Sequence, residues 1–374
     1  MTTAAPVVDT GTADEPPEEG IGLCLSGGGY RAMLFHVGSL WRLHEVGLLK
    51  QIKRISSVSG GSITAAKLGL AWDEIGPGGD VAGFHEHVVK PIRSLASRTL
   101  DAPSIITGIL LPGTIGKYLA DAYDKHLFKG ATLQGLPHEP RFVINATNLE
   151  TATLFRFSKP YARDYRVGEI RQPTFRLADA VAASSAFPPV LSPFLLDVEP
   201  SDFSIAEPGV SDKFRQEISL TDGGVYDNLG LETVWKNYKT VLVSDGGGRI
   251  ADDASPPGDW AGGAKRVLDV VDHQVRNLRK RQLQGSLTDG ARDGAYWGIR
   301  SNIAKFRLPV TLPCPADRTL RLAETPTRLK KLDDLLQQRL INWGYAVCDA
   351  GLRAHVDPTI SAPGAFPYPE AGVG

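Results

Sequence analysis

The sequence is short of cysteine, has no excess of either charge and contains no long apolar run. Its three cysteines, Cys24, Cys314 and Cys348, are far apart, which excludes a disulfide framework and paired Cys-x-x-Cys metal ligands and favours a reducing compartment, the cytoplasm. Because 41 Lys and Arg balance 42 Asp and Glu, no basic surplus indicates a nucleic-acid partner. No uncharged apolar stretch approaches the roughly 18 residues of a membrane-spanning helix, so any membrane contact is expected to be peripheral.

The remaining composition is that of a globular protein of 374 residues, with 42% hydrophobic and 22% charged residues. Residues 1–19 carry five acidic residues, three prolines and no Lys or Arg, the reverse of a signal peptide, and are predicted to form a disordered acidic arm. Residues 20–356 are expected to form a single α/β domain, in which about 264–356 is a helical C-terminal extension. Residues 357–374, with four prolines and three glycines, are expected to be irregular.

Two strand–turn–helix units stand near the start of the chain. The apolar run Ile21–Ser26 ends in three glycines, after which apolar residues recur with helical spacing. Arg54–Val58 is then predicted to be a strand, with Ser59-Gly60-Gly61 as a tight turn into a helix that ends near Trp72. Successive units of this kind imply parallel strands. Further strand candidates that extend the sheet are residues 142–147, 151–157, 218–220 and 240–243.

The later part of the chain predicts a loop and two helices. Residues 251–263 lack periodicity and are predicted to form a loop or lid. In the helix predicted after them, one face is apolar and the other is basic, the two sets being Val267, Val271, Val275 and Leu278, and Arg276, Arg279, Lys280 and Arg281. This pattern is typical of a solvated amphipathic helix, with a lipid- or phosphate-seeking face as the alternative. Thr325-Pro326 predicts the start of the last long helix.

Ser59 is the candidate nucleophile. A sharp strand-to-helix turn holds a serine hydroxyl above the sheet edge, and Gly60 and Gly61 let the backbone make that turn without Cβ clashes. The helix that begins there also directs its positive end at an anionic intermediate. The alternative is that Ser59 only caps the helix.

Gly27-Gly28-Gly29 joins the first strand to the first helix. It lacks the Gly-Lys-Ser/Thr of a Walker A loop and does not complete Gly-x-Gly-x-x-Gly, so neither phosphate motif is present. Backbone N–H groups in such a loop can instead form an oxyanion hole, in which each donor stabilises the transition state by about 3 to 4 kcal/mol. Arg31 is placed to order the loop, and a plain tight turn is the alternative.

Asp222-Gly223-Gly224 follows the apolar residues 218–220, which places Asp222 at the carboxyl end of a predicted strand. Ligands in open α/β sheets collect at that edge, so Asp222 is a candidate base, with a turn as the alternative. Asp227-Asn228 is predicted to cap or orient this loop. The similar Asp245-Gly246-Gly247-Gly248 shows that Asp-Gly-Gly is unspecific in isolation.

In chain order, these three elements resemble the motifs of the patatin-like phospholipase family. The family's oxyanion loop, Asp-Gly-Gly-Gly-x-Arg-Gly, is similar to Ser26-Gly-Gly-Gly-Tyr-Arg-Ala32, its elbow Gly-x-Ser-x-Gly to Ser57-Val-Ser59-Gly-Gly61, and its Asp-Gly-Gly to Asp222-Gly223-Gly224. Residues 142–150 and 184–189 are also similar, so matching blocks extend over about residues 22–231. The departures are Ser26, Ala32 and Ser57. The last leaves Ser56 and Ser57 as neighbouring nucleophile candidates, although only Ser59 precedes the two glycines that open the helix.

The resemblance implies a three-layer α/β/α sandwich with a mainly parallel central sheet. It implies a serine lipid acyl hydrolase of the phospholipase A or lysophospholipase type, in which Asp222 takes the proton from Ser59. The implied oxyanion hole is Gly27, Gly28, Gly29 and Arg31. No histidine, metal ion or cofactor is implied, and calcium is not required. The implied substrates are membrane phospholipids or other acyl-ester lipids, reached by peripheral membrane contact.

Two other functions compete with this one. A Ser-Asp-His carboxylesterase would use His273 or His355, which follow Asp222 in the order of such a triad, although His273 falls within the amphipathic helix pattern. A non-catalytic lipid- or phosphate-binding module would use the glycine loop and the basic helix, and would need neither Ser59 nor Asp222.

An apolar cluster is bounded by Pro103 and Pro112. Clustered aliphatic residues usually belong to a core, and the alternative is a lid or membrane-insertion patch at the mouth of the Ser59 cleft. The cluster consists of Ile105, Ile106, Ile109, Leu110 and Leu111.

Overall fold

The computed structural model describes residues 16–101, 114–188, 191–250 and 252–374. Its strands are β1 Glu18–Leu25, β2 Ile52–Val58, β3 Arg141–Asn148, β4 Thr153–Phe157, β5 Tyr161–Asp164, β6 Gly168–Arg171, β7 Phe194–Asp197, β8 Ile205–Ala206, β9 Glu217–Asp222, β10 Tyr238–Asp245 and β11 Asp293–Gly298. Its α-helices are α1 Gly29–Glu45, α2 Gly60–Leu70, α3 Val81–Phe84, α4 Lys90–Ala96, α5 Thr114–Tyr123, α6 Leu177–Ser184, α7 Gly224–Asp227, α8 Glu232–Trp235, α9 Trp260–Thr288, α10 Ala316–Ala323 and α11 Asp334–His355.

The strands form one mixed sheet whose centre is parallel. Within the described ranges the order is β11-β10-β1-β2-β3-β4-β5-β6-β8, and the strands from β11 to β3 are parallel to one another. From β4 onward the pairing is antiparallel, and β9 pairs antiparallel with both β3 and β7. The predicted mainly parallel α/β sheet is confirmed.

Side chains alternate across the central strands and build a core on each face. Leu23 and Leu25 of β1 belong to the larger core, whereas Cys24 belongs to a smaller one on the opposite face. The smaller core also holds Val234 of α8 and Leu283 of α9. Because helices cover both faces of the sheet, the architecture is the expected three-layer α/β/α sandwich.

Helix α11 packs closely against α1 through two glycines. A Cβ atom at Gly38 would lie 1.9 Å from the carbonyl oxygen of Ile341, and one at Gly344 would lie 1.9 Å from that of Phe35. The region 264–356, predicted as a helical extension, holds α9, α10 and α11, and it also supplies β11, which pairs with β10. Glycines within Asp293–Gly298 weaken its strand pattern, which is why the sequence did not predict β11.

Three predicted element boundaries differ from those of the structure. Strand β1 begins at Glu18, so the last two residues of the predicted arm are strand residues, tied by the bond from Glu18 N–H to the Asn237 carbonyl at 2.8 Å. Residues 260–263, predicted as loop, open α9, because the Asp259 carboxylate caps the helix by accepting from Gly262 N–H at 2.9 Å. Thr325 does not start the last long helix, since the Asp333 carboxylate caps α11 instead.

Helix α9 turns its basic side toward the protein and its apolar side toward solvent. Val267 and Leu278 are 61% and 59% exposed, whereas Arg276 is buried and Lys280 pairs with Asp245. A buried carboxylate without a cation destabilises a fold more than an exposed apolar side chain does, so the basic face is the one that packs. The predicted amphipathic helix is therefore present with an exposed apolar face.

Two further predictions concern the C-terminal tail and the apolar cluster. The predicted tail 357–374 contains neither helix nor strand, yet it packs on the domain through the buried side chains of Phe366 and Val373. The apolar cluster between Pro103 and Pro112 lies outside the described residues. In the described part of the chain, no helix combines the length and the hydrophobicity that a membrane-spanning segment requires.

Candidate active site

Ser59 lies on a strained turn between β2 and α2. Its backbone has φ 51° and ψ −120°, a conformation that residues other than glycine rarely adopt. Ser59 holds the N-cap position of α2, but its side chain makes no capping hydrogen bond. A Cβ atom at Gly60 would lie 2.2 Å from the Gly29 carbonyl oxygen, so the elbow touches the glycine loop and requires glycine there. The hydroxyl of Ser59 is thus held in place without a structural task.

The neighbouring serines do have structural tasks. Ser56 is fully buried, and its hydroxyl oxygen accepts hydrogen bonds from Asn145 Nδ2 at 2.9 Å and from the Thr233 hydroxyl at 2.7 Å. Ser57 is also fully buried and donates to the Val143 carbonyl at 3.3 Å. The geometry therefore favours Ser59 over both as the nucleophile.

Strand β3 brings Asp222 to Ser59. The last residue of β2, Val58, pairs with Asn145, and the next residue along the same edge of β3, Ala146, pairs with Asp222 of β9. The two strands run in opposite directions and meet end to end on this edge. Asp222 lies at the carboxyl end of β9, as predicted, and it meets the carboxyl end of β2 because β9 runs antiparallel to β3.

The Asp222 carboxyl is buried and weakly satisfied. Its Oδ1 accepts from Gly224 N–H at 2.7 Å, while Oδ2 completes no hydrogen bond of normal geometry within the described structure. Burial raises the pKa of Asp222 to about 7, although the Gly224 N–H and the adjacent Ser59 hydroxyl lower it, and Asp272 of α9 raises it further. The Ser59 hydroxyl and this carboxyl are therefore adjacent but loosely arranged, as is common for such pairs without substrate.

Ser184, at the end of α6, connects the elbow to the Asp222 loop. Its hydroxyl oxygen accepts from Ser59 N–H at 3.0 Å, and the hydroxyl donates to the Asn145 carbonyl at 2.7 Å. Its own carbonyl accepts from Gly223 N–H at 3.3 Å. Sequence reasoning singled out residues 184–189 only by resemblance and gave Ser184 no role.

The glycine loop offers two free amides beside Ser59. A Cβ atom at Gly27 would lie 3.1 Å from the Ser59 Cβ, which places the loop next to the elbow. Gly27 N–H is donated to the Asn228 carbonyl at 3.0 Å, whereas the N–H groups of Gly28 and Gly29 have no acceptor among the described residues. Asn228 therefore orients the glycine loop as well as the loop that follows Asp222.

Arg31 supports the loop from behind. Its Nε donates to the Gly246 carbonyl at 3.0 Å, and its other nitrogens donate to the Thr325 carbonyl and to the Thr327 hydroxyl. Of the four predicted oxyanion-hole residues, Gly27 and Arg31 therefore use their donors to hold the loop. Gly28 and Gly29 keep theirs available.

His36 is a second support that sequence reasoning missed. Its Nε2 donates to the Ser26 carbonyl at 2.9 Å, because a carbonyl can only accept, so Nδ1 accepts from the Ser244 hydroxyl at 2.8 Å. Burial lowers the pKa of His36 to about 4, which keeps the ring neutral. The position of His36 on the inner face of α1, seven residues after Gly29, was the only signal in the sequence.

The other candidate histidines lie elsewhere. His273 is on α9 within 3.3 Å of Asn277 Nδ2, and His355 packs against the Phe306 ring. In the described ranges no histidine nitrogen bonds to Ser59 or Asp222, so the contacts give a Ser-Asp-His triad no support. No group of three or more His, Cys, Asp or Glu side chains in these ranges is arranged to hold a metal ion.

The comparison with protein families agrees with the motifs. The sequence model of the patatin-like phospholipases matches residues 23–235. The chain belongs to the patatin-like phospholipase family. The match ends before α9, β11 and α11, so the family model does not cover the part of the chain that closes the sheet and the core. A comparison with curated proteins found no match.

Solved structures share the patatin-like fold. Human GIVD cytosolic phospholipase A2 matches 90% of this chain with a TM-score of 0.52 at 13% identity, and the chain covers 59% of that structure. The same human protein in complex with methyl gamma-linolenyl fluorophosphonate matches 90% of this chain with a TM-score of 0.53 at 15% identity, with 58% of it covered. At these identities the likeness shows the fold alone, and the chain spans less than two thirds of that relative.

Proposed function

We propose that this member of the patatin-like phospholipase family is a lipid acyl hydrolase of the phospholipase A or lysophospholipase type. The observation that carries the proposal is the uncommitted Ser59 hydroxyl, on a strained elbow, next to the buried Asp222 carboxyl. Family membership supports a lipid hydrolase, and the two free amides of Gly28 and Gly29 support acyl transfer.

In the first half-reaction, Asp222 takes the hydroxyl proton of Ser59 as the oxygen attacks the acyl ester carbonyl. The Gly28 and Gly29 amides donate to the oxyanion of the tetrahedral intermediate. Collapse of the intermediate breaks the bond to the alcohol oxygen, and Asp222 returns the proton to the departing alcohol. An acyl group remains esterified to Ser59.

In the second half-reaction, Asp222 accepts a proton from water as the water attacks the acyl-enzyme. The same amides hold the second oxyanion, the ester to Ser59 breaks, and the proton returns to the serine oxygen. A fatty acid leaves, and no metal ion or cofactor enters either step. The pKa of Asp222, raised to about 7 by burial, suits a group that must both accept and return a proton near neutral pH.

Peripheral contact with the lipid surface is part of this proposal. The exposed apolar face of α9 supports it, because that face extends from Trp260, which is 88% exposed, past Val267 and Val271 to Leu278. The same helix carries Asp272, whose charge acts on Asp222, so the face lies on an element beside the candidate site. The cytoplasmic location stays a prediction.

A fluorophosphonate label with peptide mapping tests the nucleophile. Wild-type protein is expected to be labelled on Ser59, and Ser59→Ala to lose the label. Ser57→Ala is the matched control, because it removes the serine of the same elbow that bonds to the Val143 carbonyl. Labelling of Ser57 or Ser56 would contradict the assignment, and no labelling of a folded wild-type protein would favour the non-catalytic binding module.

Hydrolysis assays test the dyad. Ser59→Ala and Asp222→Asn are each expected to abolish release of fatty acid from phospholipid vesicles, and the double variant to match either one, because the two residues act as a unit. EDTA is expected to leave the wild-type rate unchanged. Strong inhibition by EDTA, reversed by calcium, would contradict the metal-free mechanism.

A further inference from the structure

A second, cationic cavity lies behind the glycine loop. The Asp245-Gly246-Gly247-Gly248 turn after β10 and the inner face of α9 enclose about 150 Å³. The charged side chains that line it are Asp245, Arg249, Arg276, Lys280 and Arg300, and the His273 ring also lines it. The Asp-Gly-Gly-Gly motif, which the dyad does not use, therefore forms one wall of a separate polar cavity.

The carboxylate in this cavity is fully satisfied. Asp245 accepts from the Tyr296 hydroxyl at 2.7 Å, from Lys280 Nζ at 2.5 Å and from Gly247 N–H at 2.9 Å. Burial opposes its ionisation, but Lys280 and Arg276 outweigh burial and hold the pKa of Asp245 well below its usual range. The charge of Asp245 is therefore neutralised by Lys280. The other cations of the cavity lack enough carboxylates to neutralise them.

Arg276 is a buried cation whose N–H donors lack hydrogen-bond acceptors of normal geometry in the described structure. Its Nε has no hydrogen-bond partner among the described residues, and its nearest carboxylates are Asp272 Oδ2 at 3.6 Å and Asp245 Oδ1 at 4.0 Å. Both distances exceed those of an N–H···O hydrogen bond. A Cβ atom at Gly247 would lie 2.1 Å from Arg276 Nη2, so the guanidinium lies directly against the loop. Buried charged groups with open donors are destabilising unless a ligand fills them.

The net charge of the surroundings is positive. Lys280 pairs with Asp245, Arg249 with Asp252 at 3.7 Å and Arg276 loosely with Asp272, whereas Arg300 has no ion-pair or hydrogen-bond partner in the described part of the chain. The side chains that line the cavity include four cations and one carboxylate, because Asp252 and Asp272 are not part of the lining. This cationic surplus favours an anionic ligand.

We propose that this cavity binds an anionic phosphate group. Arginine guanidinium groups bind phosphate oxygens through paired N–H donors, which Arg276 and Arg300 have available. The two sources of such a group are the head group of a phospholipid and a free phosphate ion. The head-group source rests on the proposed hydrolase function, and the turn that lines the cavity packs directly against the glycine loop, since a Cβ atom at Gly28 would lie 2.9 Å from the Gly246 carbonyl oxygen.

Calorimetric titration of the full chain with inorganic phosphate tests the site. The expected result is saturable binding that weakens about tenfold or more in Arg300→Gln and Arg276→Gln, the loss typical of a charge-assisted hydrogen bond. Arg318→Gln is the matched control, because it removes an exposed arginine of α10 that pairs with Asp317. Equal sodium chloride replaces phosphate as the ionic-strength control. Absence of binding, or equal weakening in the control variant, would overturn the proposal.

Lipid assays separate the two sources of phosphate. The readout is the ratio of kcat/KM on phosphatidylcholine vesicles to kcat/KM on a neutral diacylglycerol emulsion. If the head group occupies the cavity, this ratio falls about tenfold or more in Arg300→Gln and stays constant in Arg318→Gln. If free phosphate occupies it, calorimetric binding weakens while the ratio stays constant. A wild-type protein that binds phosphate but hydrolyses neither lipid would contradict the hydrolase function and still support the phosphate site.

Discussion

The backbone N–H of Ser59 donates to the hydroxyl oxygen of Ser184 at 3.0 Å, and the carbonyl of the same Ser184 accepts from the loop that carries Asp222. A single residue at the end of α6 therefore positions both members of the proposed dyad. Its hydroxyl also bonds to the Asn145 carbonyl on β3, which anchors it to the sheet. Ser184 is a positioning residue, since it acts through the backbone of its neighbours.

Removal of the Ser184 hydroxyl should misplace the nucleophile. Ser184→Ala is expected to lower kcat/KM by about 10- to 100-fold, because small displacements of reacting groups are costly, and to slow fluorophosphonate labelling of Ser59 in parallel. Ser185→Ala is the matched control, since that hydroxyl donates to the Val181 carbonyl within α6. If both variants lose activity only in proportion to a lower melting temperature, Ser184 has a structural role alone.

The pH dependence of hydrolysis should follow Asp222. Burial raises its pKa to about 7, and only the deprotonated carboxylate accepts the Ser59 proton, so kcat/KM on a short soluble ester is expected to rise through about pH 7 and then level. Because the charge of Asp272 contributes to the raised pKa, Asp272→Asn should shift the rise to lower pH.

Asp269→Asn is the control for this shift, because Asp269 lies one turn earlier on α9 and pairs with Lys265. It is expected to leave the midpoint in place. A midpoint that does not move in Asp272→Asn, or that moves to higher pH, would contradict the electrostatic assignment.

Ionisation of Asp222 should lower the stability of the protein as pH rises, although it raises the activity. A folded pKa of about 7 against 3.8 for the unfolded chain means that the folded state retains a proton that the unfolded state loses. The free energy of unfolding therefore falls as pH rises from about 4 through about 7. Asp222→Asn, which cannot ionise, is expected to be more stable than wild type by roughly 1 to 4 kcal/mol at about pH 8 and by less at about pH 5.

Denaturant unfolding of both proteins at the two pH values measures this difference. Asp245→Asn provides a contrast of opposite sign, because the pKa of Asp245 is held low by Lys280 and Arg276 and its charge stabilises the fold at neutral pH. That variant should be less stable than wild type at about pH 8. An Asp222→Asn effect of equal size at both pH values would show that the carboxyl is not buried as an ionisable group.

The exposed face of α9 should matter for vesicles and not for soluble substrates. Val271→Ser combined with Leu278→Ser is expected to lower binding to phospholipid vesicles and hydrolysis on them by about tenfold, because apolar area that would enter the interface is lost. The rate on a short soluble ester should change little.

Val310→Ser is the matched control, because Val310 is equally exposed outside α9, at 59% against 59% for Leu278. Vesicle flotation and fatty-acid release give the two measurements. Equal losses on vesicles and on the soluble ester would show that this face does not serve as a lipid contact.

Local sequence alone predicted the elements whose geometry depends on neighbouring residues. Three glycines after an apolar run, and two after Ser59, predicted the two strand-to-helix turns, because glycine accepts the positive φ of Gly28 and Gly29 and the close backbone approaches at Gly60 and Gly61. The same local patterns placed Asp222 at the end of a strand. The mainly parallel sheet followed from two such units in succession.

Tertiary structure decided which donors and faces remain free. The Gly27 amide bonds to the Asn228 carbonyl and the Arg31 guanidinium to the Thr325 carbonyl, so two predicted oxyanion donors support the loop instead. The antiparallel entry of β9, and the burial of the basic side of α9 against buried carboxylates, likewise depend on partners far away in the chain. Local pattern determines what a residue is able to form, whereas the occupancy of its hydrogen-bonding groups is determined by distant residues that only the folded chain brings near.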